Sequence, residues 1–514
     1  MKFINTITTF LKNKNHVLFI AIIVVHVSIA FYFISQQYIT YDEPSYIEYS
    51  KRWLHGKPDR IEPLDDSKTP VISIVWLPRI VQQVLHTDFK QNDFGTKDQQ
   101  QGRYMMIFFS LLVLIYLYQF LKLLHVKNWL IAFLFFIIDP LIIAYSVLIN
   151  SDYLSGLIAL ATVFHLYKYL YQKSNKNFWF SCIWLATGLV TKHSFLFFIP
   201  LYWVMIIVKN KKIDWKKFIQ FILLVLLIIN VWFYFHHSFK TLGSYEFQSN
   251  VFKNIQQNFS WIHWLPLPFP ENYIQSLDML QYNSNIGGGI NSTYPGVYLL
   301  GQSKLHGGFW NFYIVNAWYK FPLSILILVC TGMFLLLFRF KIIIKKYGLL
   351  LLPIVYYFII LSCFNNFQTG VRHLLIIIPL LYVLIAVLIN KLWQSKLKFA
   401  VIGLWIFMII SVAKFYPDLI PYTNEFIENK QLVYEKIMDT GIDYGQSRKI
   451  AKDFLINNPN YTTPSATPHQ GNYIVSMREI VLYKMYNDTT LNWLVKNYKP
   501  VGLVNHVYLK YKVE

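Results

Sequence analysis

Long apolar runs separated by short basic links recur through the first 414 positions, and a bilayer core roughly 30 Å thick takes ~20 helical residues to cross. A chain built this way is constrained before any motif is read: its backbone polar groups must be satisfied within the spanning segments, which leaves helices as the element that fits. The sequence predicts spans at 17–35, 104–121, 129–148, 154–171, 178–191, 194–208, 218–235, 322–338, 348–363, 374–390 and 399–414. The expected fold is a polytopic α-helical membrane protein with about eleven transmembrane helices. The run Val17–Ile34 follows Lys2, Lys12 and Lys14 as a signal peptide would, yet no small-residue cleavage site follows it, so it reads as a retained first helix.

Composition agrees. Hydrophobic residues make up 55% of the chain and charged ones 14%, against about 25% charged in soluble domains. A net charge of +21 is compatible with nucleic-acid binding, but the lysines fall in links between apolar runs, which is the pattern of membrane topology rather than of a phosphate-reading face. No nucleic-acid partner is expected; membrane lipids are. The links 1–16, 122–128, 172–177, 209–217, 339–347 and 391–398 are rich in Lys and Arg and hold a single acid, Asp214. Short loops with that bias lie on the cytoplasmic side, which places the N-terminus in the cytoplasm and the C-terminus outside. Three outer regions are long: 36–103, 236–321 and 415–514. The expected organisation is a membrane module over 1–414 and an extracytoplasmic domain of mixed α/β character over 415–514. In that domain Asp443 caps a helix running to about Leu455, Thr490 starts another, and Val507, Leu509, Tyr511 and Val513 alternate as a strand does. The three cysteines, Cys182, Cys330 and Cys363, show no metal-ligand or redox spacing and read as packing residues.

The informative charges are those next to apolar runs on the outer side. After the first span comes Tyr41-Asp42-Glu43-Pro44, where Pro44 suits a first helical turn and either acid before it caps that helix. Tyr46, Ile47, Tyr49, Trp53 and Leu54 then give an apolar side suited to the membrane surface. Neighbouring residues on a helix point about 100° apart, so Asp42 and Glu43 do different jobs: one activates an acceptor, the other orients it or binds a donor. The bland alternative for Asp42 is a simple cap. Asp152, Lys192 and Arg372 follow at the outer ends of later spans, with His373 beside Arg372. Ionisable groups at membrane depth are costly and mark function by default, although Lys192 and Arg372 also suit snorkelling or headgroup contact. A carboxylate base with two cations on one face suits a reaction whose leaving group is a lipid phosphate.

These segments resemble the GT-C glycosyltransferases, in particular the protein O-mannosyltransferase-like and lipid A aminoarabinose transferase-like branch and its bacterial relatives. Asp42-Glu43-Pro44 resembles the first acidic motif, Ile149-Asn150-Ser151-Asp152 the second, and Gly188-Leu189-Val190-Thr191-Lys192 the Gly-to-Thr-Lys helix end. Tyr298-Leu299-Leu300-Gly301 with Trp310, Tyr313, Lys320 and Pro322 is similar to the outer loop of that family. Gly370-Val371-Arg372-His373 with Pro379 is similar to its Gly-x-Arg-Tyr segment, with His in place of Tyr. Tyr416-Pro417-Asp418, Asn424-Glu425, Asp439 and Asp443-Tyr444-Gly445-Gln446 resemble a late segment ending Asp-Trp-Gly-Gln, with Tyr444 in place of Trp. Lys68-Thr69-Pro70 matches the family's His-Pro-Pro-Leu only in part, so no catalytic role is assigned to that loop.

The resemblance implies a GT-C type fold and an inverting hexosyl or pentosyl transfer from a polyprenyl-phosphate-linked sugar to a lipid, glycan or protein acceptor of the cell envelope. Asp42 is the implied catalytic base, with Glu43 and Asp152 in the catalytic group and Lys192, Arg372 and His373 at the donor phosphate. No cofactor and no metal are expected to be required, and a bacterial inner membrane is the implied location. The rival readings are a transporter or flippase of a lipid-linked saccharide and a catalytically dead scaffold. A single cysteine placed in 236–321 should react with an impermeant maleimide in intact cells, and one placed in 209–217 only after lysis; the reverse pattern would invert this topology.

Overall fold

The computed structural model describes residues 14–61, 65, 68–87, 91, 93–286, 296–486 and 490–514; Lys2 and Lys12, which help set the first basic link, lie outside them. Helices dominate. Among the described residues five are long and apolar enough to cross a membrane: Lys14–Gln36, Lys97–Leu123, the stretch His193–Asn210, Trp215–Trp232 and Leu323–Phe364. The pair Trp129–Ile138 and Pro140–Val147, bent by 66°, makes a sixth when taken as one span. The chain is thus an integral membrane protein, and by length and composition five to six spans are found where the sequence led us to expect about eleven.

The difference has local causes. At Asp139-Pro140 the proline cannot donate to the helix ladder, and the Asp139 carboxylate accepts from the amides of Leu141 and Ile142 to start a new helix. The expected spans 322–338 and 348–363 run together as Leu323–Phe364, broken by non-helical torsions at Arg339. The expected span 374–390 begins as a 3-10 turn, Val371–Ile376, and continues as the shorter helix Ile378–Leu392. Helix Ser151–Gln172 carries Asp152, His165 and Lys168 among its apolar residues, yet it is buried along most of its length. At Gly156 an added Cβ would meet the Leu375 carbonyl at 2.6 Å, so absence of a side chain lets that helix press against the 371–376 turn.

Outside the helical body, the C-terminal residues form a four-stranded sheet in the order Tyr461–Thr462, Gly471–Ser476, Tyr508–Val513, Gly502–Val504, with only the first pair parallel. Leu509, Tyr511 and Val513 point inward as their alternation predicts. The helix expected from Asp443 instead starts at Arg448, because the Asp443 carboxylate is taken by the Gly445 amide in a turn. The second helix is the short Asn492–Asn497.

Helix Glu43–Leu54 follows the first span, but its aromatic side faces protein rather than lipid: Trp53 stacks on Trp232 and Tyr234 at 5.4 and 4.9 Å and donates to the Trp232 carbonyl. Its first residue, Glu43, is fully buried. Arg103 donates Nε to Oε1 at 2.8 Å and Nη2 to Oε2 at 2.7 Å, while the Thr40 amide, the Gln99 amide group and the Ile149 amide donate as well. The same guanidinium reaches the carbonyls of Gln37 and Tyr38. One ion pair therefore ties the end of the first span, the short helix, the Lys97–Leu123 helix and the turn before Ser151. Removing one partner of such a buried pair leaves an unpaired charge in a low-dielectric interior, at a cost of about 3–5 kcal/mol. Glu43→Gln should lower the melting temperature markedly and Glu43→Leu with Arg103→Met much less; equal losses would show that charge pairing is not what matters here.

Candidate functional site

Asp42 immediately precedes this sealed knot. It occupies the cap position of helix Glu43–Leu54 but makes no side-chain cap bond. Its carboxylate turns the other way: Oδ2 accepts from Arg372 Nη1 at 2.8 Å and from the Tyr444 hydroxyl at 2.6 Å. The cap reading of Asp42 is thereby set aside. Arg372 also bonds to the Tyr444 hydroxyl, and its guanidinium lies 4.8 Å from the centre of that ring. Nε and Nη2 reach Thr369 Oγ1 at 3.4 and 3.3 Å.

From Arg372 the cluster continues to Asp152, whose Oδ2 lies 3.8 Å from Nε. Asn150 caps helix Ser151–Gln172 through the Tyr153 amide, so Asp152 stands in the first turn with a fixed direction. Its other oxygen accepts from Lys192, which follows the end of helix Asn175–Leu189. Asp42, Asp152, Lys192 and Arg372, drawn from stretches up to 330 positions apart, form one alternating chain of charge. Within it Asp42 is the most accessible member: its side chain is 34% exposed, against 21% for Lys192, 9% for Arg372 and 6% for Asp152.

Two expected members stand differently. Every direction around Glu43 is occupied by the donors described above, so it anchors the fold and has no capacity left for an acceptor or donor substrate. His373 was expected at the donor phosphate, yet its Nδ1 pairs with the Tyr313 hydroxyl at 2.9 Å and its Nε2 with Thr369 Oγ1 at 3.1 Å. Burial first, then the nearby positive charge of Lys192, pushes its pKa well below the ordinary value. A neutral imidazole with both nitrogens engaged is not a cation for phosphate.

Two residues not assigned a role by the sequence enter the site. Lys68 is buried, with its ammonium 3.8 Å from the centre of the Tyr46 ring, and its charge acts on Asp42. Its loop is fixed by Thr69 Oγ1 donating to the Thr191 carbonyl and the Val71 amide to that of Val190, directly before Lys192. Neither distance nor direction is readable in a loop, so the partial Lys-Thr-Pro match could not place Lys68 near Asp42. Tyr444 is the other. Burial, foremost, pushes its hydroxyl well above the usual tyrosine range, so it remains a donor to Asp42.

Electrostatics set the state of Asp42. Burial works against its charge, but Arg372 and then Lys68, with the hydrogen bonds from Tyr444 and Arg372, outweigh it and hold the pKa at about 2. The segment carrying Tyr444 is strapped down by Lys320, whose buried ammonium donates to the carbonyls of Ile420 and Gly441 at 2.7 and 2.6 Å. Burial lowers the Lys320 pKa below the ordinary lysine range, opposed by Asp439 and Asp418. Burial raises the Asp439 carboxyl above the usual range, and it packs against Gly370, where φ is 135° and a Cβ would come within 2.8 Å of its Oδ1. Glycine at 370 is what lets this strap approach the Arg372 turn.

Residues 93–235 match the family model described as dolichyl-phosphate-mannose-protein mannosyltransferase, a stretch that includes Asp152 and Lys192 but neither Asp42 nor Arg372. Among solved structures, ArnT from Cupriavidus metallidurans bound to undecaprenyl phosphate aligns over 96% of this chain and 97% of its own at 10% identity and a TM-score of 0.46. The apo form of the same protein aligns over the same shares at 8% identity and a TM-score of 0.42. No protein of curated function matches the chain in sequence. The family likeness is thus carried by residues 93–235 alone, a stretch similar to the dolichyl-phosphate-mannose-protein mannosyltransferases.

Proposed function

We propose that this protein transfers a sugar from a polyprenyl-phosphate carrier to an acceptor hydroxyl or amine at the membrane end where Asp42 lies, with inversion at the anomeric carbon. The observation that carries the reading is the Arg372–Asp42 contact, at 2.8 Å, on a carboxylate that is the most accessible member of a cluster with two further cations, Lys192 and Lys68. The matching family's description supplies the donor class, a sugar carried on a lipid phosphate.

The chemistry follows from competition for the cations. In the resting arrangement Asp42 is held near a pKa of about 2 and is a poor base. A donor phosphate entering beside it draws Arg372 and Lys68 onto its own oxygens, and the carboxylate, released from them, becomes more basic where burial already favours the neutral form. Asp42 then takes the proton from the acceptor as the acceptor's oxygen or nitrogen bonds to the anomeric carbon. The bond from that carbon to the phosphate oxygen breaks on the opposite face. The lipid phosphate leaves with the electron pair, its charge met by Arg372, Lys68 and Lys192. Asp152 keeps Lys192 and Arg372 in place, and Tyr444 fixes the direction of the Asp42 carboxylate.

Asp42→Asn should leave membrane insertion unchanged, lower the melting temperature because the buried Arg372 loses a charged partner, and reduce transfer by ~10²–10⁴-fold. Mass spectrometry of products from a panel of polyprenyl-phosphate sugars reads both the activity and the sugar; near-normal product from the correctly inserted variant would reject Asp42 as the base. The acid limb offers a second test. In the wild type Asp42 is ionised at all pH values well above 2, so it sets no limb near neutrality in kcat/KM. Arg372→Ala removes the largest charge holding it down, so its pKa rises and a new acid limb should emerge at higher pH, together with a raised KM for the donor. An unchanged profile and an unchanged donor KM would remove Arg372 from the site.

A further inference from the structure

The last turn of helix Trp215–Trp232 departs from the pattern of the rest of that span. Ile219, Leu223, Leu227 and Val231 are exposed, and by the 3.6-residue turn they mark one side of the helix, the side that faces lipid. Asn230 falls between Ile219 and Leu223 on that same arc, yet it is buried. The two ends of the next outer segment cover it: its Nδ2 donates to the Pro268 carbonyl at 3.0 Å, and its Oδ1 accepts from the Ser238 hydroxyl at 2.6 Å. The chain therefore turns back over the lipid-facing side of its own span. A short ladder joins the two limbs, with the Phe239, Leu242 and Gly243 amides donating to the carbonyls of Leu267, Leu265 and His263.

Between the limbs runs helix Asn250–Asn258, which has three distinct sides. Phe252 and Gln256 turn inward: the Phe252 ring centre lies 5.2 Å from that of Phe247, and the Gln256 amide group donates to the carbonyls of Leu242 and Tyr245. Lys253, Asn254 and Gln257 make an exposed polar side. Val251, Ile255 and, just past the helix, Phe259 recur every fourth residue and make an exposed apolar side. The row continues through Trp261, whose ring centre is 6.5 Å from that of Phe259, to Trp264, whose indole donates to the Trp261 carbonyl at 3.0 Å. The two tryptophans are 72% and 71% exposed, so no described part of the chain covers this end of the row. Single exposed apolar side chains are ordinary, whereas a contiguous row ending in two open indoles marks a surface that meets something.

What it meets follows from where it is tied. Pro268 is fixed at Asn230, and four residues of extended chain reach at most about 14 Å, so the tether keeps Trp264 beside the outer end of a span and near the headgroup layer, which is ~5–8 Å deep on each side of a bilayer. A helix with an inward, a polar and an apolar side suits the plane of a membrane surface, and tryptophan favours the headgroup level. We infer that residues 250–265 are an anchor in the membrane surface, with Val251, Ile255, Phe259, Trp261 and Trp264 set among the lipids of the leaflet at which Trp53, on the helix that follows Asp42, stacks on Trp232. Past the ladder the chain enters helix Glu271–Ile286, whose Ser276 hydroxyl pairs with His193 Nε2 at 2.9 Å, next to Lys192. The anchor thus sets the height of the charge cluster relative to that leaflet. The inference needs the span and is independent of the transfer chemistry.

Nitroxide labels on single cysteines of the full chain test it, with the exposed Cys330 and Cys363 replaced by Ser, the buried Cys182 left in place and the protein in phosphatidylcholine nanodiscs. Collision with oxygen, which concentrates in lipid, is compared with collision with a water-soluble nickel chelate. Labels at Ile255→Cys and Trp264→Cys should favour oxygen, and labels at Asn254→Cys and Gln257→Cys, on the polar side of the same helix, should favour nickel. Nickel dominance at all four positions would overturn the anchor and leave the row in water. Oxygen dominance at all four would overturn the surface orientation. Exclusion of both reagents at 255 and 264 would overturn the lipid assignment in favour of a protein partner or a second copy of the chain.

Discussion

Arg372 is the group around which the end of the protein that carries Asp42 is organised. A guanidinium cannot shed its charge, and one that is nine-tenths buried is tolerable only when carboxylates and hydrogen-bond acceptors surround it. Asp42, Asp152, Thr369 and the Tyr444 hydroxyl meet that requirement, and each arrives from a different part of the chain. Satisfying one side chain thus brings together the loop after the first span, the start of Ser151–Gln172, the 371–376 turn and the C-terminal strap. Gly370 and Lys320 are the fittings that let the strap come close enough.

Beside it, the two acids at 42 and 43 divide the work. Glu43 turns into the protein, meets Arg103 and five donor groups in all, and is sealed. Asp42 turns about a hundred degrees away and remains partly open. A rigid anchor directly next to an accessible carboxylate holds the latter's backbone without occupying its side chain. That is the arrangement a reactive group needs when its direction must be fixed and its charge must change during a reaction.

Charge is segregated to the two ends of the membrane body. At one end cations are paired with carboxylates in a tight lattice; at the other, four lysines face a single acid around a recess. The first arrangement neutralises its cations within the protein, each against a carboxylate partner.

The sequence by itself determined the membrane class, the basic links, and the residues Asp42, Asp152, Lys192 and Arg372, because apolar run length and charges beside apolar runs are local properties that need no partner to be read. It also singled out the Asp443-Tyr444-Gly445-Gln446 segment without a role for it. Only the tertiary structure decided that Tyr444 and Lys68 join Asp42, that Glu43 is enclosed by donors, and that both ring nitrogens of His373 are engaged. Those outcomes depend on which way a side chain turns and what desolvates it, and both are set by segments hundreds of positions away. Fewer long unbroken helices form than the eleven expected spans for a related reason: apolar composition marks what can sit in hydrocarbon, whereas Asp139-Pro140 and the 371–376 turn break helices through backbone hydrogen bonding that packing against neighbouring helices stabilises.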